Sequence, residues 1–166
     1  MRSHFALLAR YHGWATRRLY EHVDALSEAD YRRDAGLFFR SVHGTLNHLL
    51  VADRAWYARF ARGESPQVVL DAELESDRVR LRLALSGSAA NWPTIVSEVA
   101  DERWTTDLHY RRGNGEPMTL PFAATLTHVF NHGTHHRGQI TAAITSLGHE
   151  CPELDLVRML QAEAAR

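Results

Sequence analysis

Phe5, Leu8, Tyr11, Ala15, Leu19 and Val23 recur at steps of three and four, the period of a helix that buries one face. That pattern predicts a first helix from Phe5 to Val23. Between Leu26 and Arg40 the period is lost among Ser27, Asp30, Asp34 and Gly36, so the segment reads as a connection with at most one short turn of helix. Ser41 then has the chemistry of an N-cap. Val42, Leu46, Leu49, Trp56 and Phe60 line a second helix that stops near Gly63.

Ser65-Pro66 offers a cap and a first-turn proline for a third helix, and Leu74, Leu81, Leu85, Trp92, Val96 and Val99 follow in helical phase. The phase survives Gly87 and Pro93, which predicts one long helix with a kink rather than two short ones, although an interior proline costs about 3 kcal/mol. Trp104, Thr106, Leu108 and Tyr110 alternate, Gly113-Asn114-Gly115 tolerates positive φ, and Met118 and Leu120 resume the alternation, the signature of a β-hairpin. Pro121 opens a last long helix with Phe122, Leu126, Val129, Gly133, Ile140, Ile144 and Leu147 on its stripe, and Gly148 ends it. A short tail helix from Leu154 to Leu160 completes the chain. The expectation is an all-α four-helix bundle with a small β-hairpin insertion before the last long helix and a short C-terminal helix.

Composition narrows this to one domain spanning residues 1–166, since 45% hydrophobic and 23% charged residues suit a single sizeable core. A formal charge of −1 leaves no electrostatic footprint for nucleic acid or an anionic membrane, so the expected partner is a small molecule. The single Cys151 excludes an internal disulfide and a cysteine-based zinc finger. There is no long apolar run, and the opening MRSHFALLAR is too soon interrupted by charge for a signal peptide. The expected location is cytoplasmic.

Eleven histidines exceed the roughly four of ordinary usage, and their positions carry the chemistry. His132 and His136 are four apart, one helical turn, so two imidazoles can reach one ion. On the wheel of the last helix both lean toward the bundle, whereas His128 and His135 fall further round toward solvent or a flank. A third ligand has to come from another helix. Helix two offers His43 or His48, and its wheel does not choose; the small neighbours Thr45 and Ala52 favour His48 slightly.

The segment Thr45-Leu-Asn-His48-Leu-Leu-Val-Ala-Asp53-Arg-Ala-Trp56, the stretch from Pro117 through His128-Val-Phe-Asn-His132-Gly-Thr-His-His136-Arg-Gly-Gln139, and the closing Leu154-Asp-Leu resemble the DinB family of bacterial proteins. The resemblance covers most of the chain. It implies a bundle of up-down-down-up connectivity, frequent homodimers, and a divalent metal, commonly nickel or zinc, held by three histidines that fall here on His48, His132 and His136. It also implies relatives that use a low-molecular-weight thiol such as mycothiol or bacillithiol, including a thiol-dependent maleylpyruvate isomerase. The implied activity is metal-dependent thiol transfer to a small electrophile in stress or detoxification. Metal-dependent hydrolysis, and metal or thiol binding without turnover, stand beside it as alternatives. The family's name does not signify DNA binding, which the charge of −1 argues against.

Asp53 falls inside the apolar stripe of helix two and needs a partner. It either accepts the outer ring N–H of a liganding histidine or pairs with an arginine such as Arg137. Arg137 itself leans inward, for a structural ion pair or to hold an anionic substrate. Trp14, Trp56, Trp92 and Trp104 read as core and interface bulk, and His4, His12, His22, His109 and His149 as polar surface residues. Cys151 has no visible base and reads as inert. No nucleotide-binding or serine-hydrolase motif is present.

Overall fold

The computed structural model describes residues 1–165. Its elements are α1 (Arg2–Val23), α2 (Glu28–Arg32), α3 (Val42–Tyr57) with a π-helical turn (Ala58–Arg62), α4 (Arg78–Ala90), α5 (Trp92–Glu98), a 3-10 turn (Asp101–Thr105), β1 (Asp107–Arg111), β2 (Pro117–Pro121), α6 (Phe122–Ser146) and α7 (Leu156–Ala164). Ser41 caps α3, its hydroxyl accepting the Gly44 N–H. Gly63, with φ of 65°, ends the π-turn in the left-handed region that glycine occupies without strain. The antiparallel pair β1·β2 runs in the register Asp107↔Pro121 to Arg111↔Pro117. Trp104 lies in the 3-10 turn before it rather than in the strand.

The third helix departs from expectation. It begins at Arg78, capped by Asp77, whose carboxylate accepts the Arg80 N–H at 2.8 Å. Residues 63–77 form instead an extended strap along α3. Ser65 does not cap a helix; its hydroxyl accepts the Arg111 N–H of the hairpin at 2.9 Å. Leu74 is exposed rather than part of a stripe. At Asn91 the helix breaks into α4 and α5, which places Pro93 in the first turn of α5, where its missing N–H leaves no helix bond unmade.

Helix directions follow from the contacts at the helix ends. Arg2 at the start of α1 bonds the Ser97 carbonyl and Asp101 beyond α5, while Arg78 at the start of α4 bonds the Val23 carbonyl ending α1. The α4–α5 pair therefore runs antiparallel to α1. The strap returns toward the start of α3, Leu70 bonding His48 and Glu75 bonding Asn47, so α4 sets off parallel to α3. Phe5 stacks on Trp104, which packs edge-on against Phe122, and His22 meets Glu150; α6 is thus parallel to α1. The result is an up-down-down-up four-helix bundle, with α1 and α3 each packed against both α4 and α6.

Two large apolar clusters fill the bundle, and a smaller one of Tyr11, Ala15 and Met159 joins α7 to α1. One large cluster holds Leu19, Val23, Leu46, Leu50, Leu81, Leu85, Ile140 and Ile144, the other Phe5, Trp92, Val96, Trp104, Phe122, Leu126 and Phe130. Between these two each long helix contributes a polar residue: His12 from α1, Asp53 from α3, Ser88 from α4 and Arg137 from α6. No helix among the described residues is long and apolar enough to cross a membrane.

Candidate metal centre

α3 and α6 pack side by side and bring three imidazoles together. His48 Nε2 and His136 Nε2 each lie 3.1 Å from His132 Nε2. That is close to the edge of about 3.3 Å between nitrogens set about 2.0–2.1 Å from a tetrahedral ion. The outer nitrogens of two rings are already engaged. His48 Nδ1 donates to the Leu70 carbonyl at 2.8 Å, and His136 Nδ1 to Gln139 Oε1 at 2.7 Å. Both rings must then present a bare Nε2 lone pair to His132, whose single Nε2 can donate to only one of them. A shared cation satisfies all three, so the donor set fits a divalent metal.

Electrostatics agree with that assignment. Burial, reinforced by His136, His48, His128 and His135, pushes the His132 pKa down to about 3. Burial likewise takes His136 to about 4 against the opposing Gln139 bond, and lowers His48 against the Leu70 carbonyl. All three rings are neutral near pH 7, the form that binds metal.

His48 and His132 of the triad line a cavity of about 820 Å³ between α3, the strap, the hairpin and the start of α6. Ala52, Ala55, Trp56, Val68, Leu70 and Leu120 give it an apolar wall. Among the described residues no carboxylate lines it. His128 stands on that wall, 5.5 Å from the Trp56 ring and 5.6 Å from His132 between ring centres. His135 is exposed and meets Gln139.

The family model for the DinB family matches residues 1–166. The chain belongs to the DinB family. It is 26% identical over 163 residues to Protein DinB of Bacillus subtilis (strain 168), covering 92% of each chain. Its fold is similar to that of YfiT from Bacillus subtilis, described as a probable metal-dependent hydrolase with an unusual four-helix bundle topology. The TM-score is 0.68 at 16% identity, over 86% of this chain and 87% of that one.

In this DinB-family bundle the two inward charges take roles that differ from those expected. Asp53 touches no histidine of the triad. It accepts the Trp92 Nε1–H at 2.7 Å and the Ser88 hydroxyl, and lies 3.3 Å from His12 Nε2, close but off line. Arg137 does not pair with Asp53 directly and is not on the cavity wall; its Nη1 donates to His12 Nδ1 at 3.1 Å, and it is 2% exposed. His12 is no surface residue but the neutral link between these two charges. Burial lowers its pKa, Asp53 opposing and Arg137 adding to the effect. Phe5, His12 and Leu19 are seven apart on one face, the signal in the chain that marks His12 as interior.

Phe39 is the other residue that sequence patterning passed over. Its ring stacks on His48 with centres 3.8 Å apart and approaches His136. A tight turn delivers it: Arg40 N–H bonds the Leu37 carbonyl, with Arg40 itself at φ of 69°. Gly44 permits the approach, because a Cβ there would stand 2.2 Å from the Phe39 carbonyl oxygen.

Proposed function

We propose that the protein holds a divalent metal, zinc or nickel, on His48, His132 and His136 and transfers a low-molecular-weight thiol to a small electrophile in detoxification or stress. The supporting observation is three converging histidine nitrogens, two of whose rings, His48 and His132, line a cavity with no carboxylate on its wall among the described residues. When bound, a divalent cation supplies charge that lowers the proton affinity of a thiol or a water presented to it.

What the chain itself supplies favours the thiol. Hydrolysis calls for a positioned base to take a proton from water and return it to the leaving group, and the wall offers only His128 outside the triad. A thiol, with an ordinary pKa of about 8.5, releases its proton far more readily. Sulfur then bonds the electrophilic carbon as the leaving group departs with its electron pair, and the thiol proton passes to His128 or solvent. The apolar wall holds the electrophile's body and excludes bulk water. Hydrolysis is the second reading, favoured by the likeness of the fold to YfiT.

Metal-loaded protein incubated with bacillithiol, mycothiol or glutathione and a chlorinated or epoxide electrophile tests this. The expected result is a thioether whose formation depends on both metal and thiol. Turnover of an ester or amide with no thiol present supports hydrolysis instead, and no turnover with any thiol overturns the transferase assignment.

A further inference from the structure

Arg59 is 7% exposed and borders the cavity. Its guanidinium lies over the Trp56 ring at 4.6 Å and the Tyr110 ring at 4.8 Å. Stacking satisfies the faces of the cation and leaves its N–H edge undirected. Nε has no hydrogen-bond partner among the described residues, and Nη2 reaches only the Arg111 carbonyl, at 3.4 Å. No carboxylate among the described residues lies within ion-pair range of it. Burial draws its pKa down, with Tyr110 opposing. A buried cation without a counter-charge is costly, and here it sits beside an open cavity. Arg112, the other arginine on that wall, is already paired with Glu116 at 3.2 Å.

Along α3 and its π-turn, Arg59 follows His48 by about three turns, or about 16 Å of helix axis. Ala52 and Ala55 floor the span between them. We infer that Arg59 anchors a carboxylate at the far end of the cavity, so that the ligand is an apolar-bodied monoanion whose reacting end points toward the three histidines. One uncompensated guanidinium matches one negative charge, which favours a carboxylate over a phosphate dianion. The orientation of the reacting end rests on the metal-site proposal; the anion anchor does not.

Octanoate, octanol and octyl phosphate serve as probes, followed by calorimetry and by tryptophan fluorescence, to which Trp56 beneath the guanidinium contributes. Octanoate should bind metal-loaded and metal-stripped protein alike, about tenfold more tightly than octanol. Arg59→Gln should lose about that factor for octanoate and none for octanol, with metal content unchanged, and Arg59→Lys should recover part of it. The comparison of octanoate with octanol on the unaltered protein needs no variant to fold. Equal binding of the two, no octanoate binding at millimolar concentration, or full octanoate affinity in Arg59→Gln overturns the proposal. Tighter binding of octyl phosphate overturns the monoanion assignment. Octanoate binding that vanishes with the metal places the carboxylate on the triad and contradicts the Arg59 anchor while upholding the metal site. Arg59-dependent binding in a protein without stoichiometric metal does the reverse.

Discussion

His136 donates its Nδ1–H to Gln139 Oε1 at 2.7 Å, and the Gln139 amide reaches His135 Nε2 at 3.3 Å. This short chain on α6 fixes the ring orientation that aims His136 Nε2 at His132. Gln139→Leu removes the acceptor and leaves all three imidazoles in place. Metal affinity should fall about 10- to 100-fold, the usual effect of losing such a partner, as measured by competition with a chromogenic chelator. Unchanged affinity would show that the ring needs no such support.

Asp53 serves the bundle rather than the metal. Asp53→Ala strands the Trp92 indole N–H and leaves Arg137 facing His12 without a compensating charge. The expected loss is about 3 kcal/mol in urea unfolding, with metal content still one ion per chain. A variant of undiminished stability that fails to bind metal would restore Asp53 to the metal site.

Two glycines five residues apart on α6 should respond oppositely to alanine. At Gly133 a Cβ would lie 2.8 Å from the His12 ring and 2.9 Å from Arg137 Nη1, whereas at Gly138 nothing lies within 4 Å. Gly133→Ala should destabilise by about 1–3 kcal/mol through overpacking. Gly138→Ala should stabilise by about 0.5–1 kcal/mol by restricting the unfolded chain. Denaturant midpoints decide, and the same sign at both positions would contradict the geometry of the polar layer.

Acid should destabilise the metal-free protein through the triad. His132 and His136 have folded pKa values of about 3 and about 4, against 6.5 when unfolded. Between those limits the unfolded chain binds more protons, so stability falls as pH drops below 6.5. The urea midpoint of chelated protein should decline between about pH 7.5 and about pH 5.5, and His132→Gln should decline less steeply. Identical slopes would mean that His132 is not held neutral.

The helices that could be read directly are those whose apolar period is paid out in buried residues: α1, α3 and α6. The hairpin was equally legible, because alternation and a glycine-rich turn coincide. Residues 63–77 misled because Ser65-Pro66 mimics a helix start and Leu74 falls in phase with Leu81 by chance. What decides that segment is tertiary: the Leu70 carbonyl and the Glu75 N–H bond His48 and Asn47, backbone groups that an interior α-helix would keep for its own ladder, while the Glu73 carboxylate meets His43. For the site, the wheel singled out His132 and His136, while His48 rested on family resemblance, since a wheel cannot say which face of α3 meets α6. Asp53 and Arg137 were legible as inward charges. Their link through His12 was not, because a single histidine far away in sequence completes it.

Elemental analysis of the purified protein beside His48→Ala, His132→Ala and His136→Ala tests the central claim most directly. One divalent ion per chain in the unaltered protein, and less than about a tenth of that in each variant with the helical circular dichroism spectrum retained, is the predicted result. Full metal content in the three variants would contradict it.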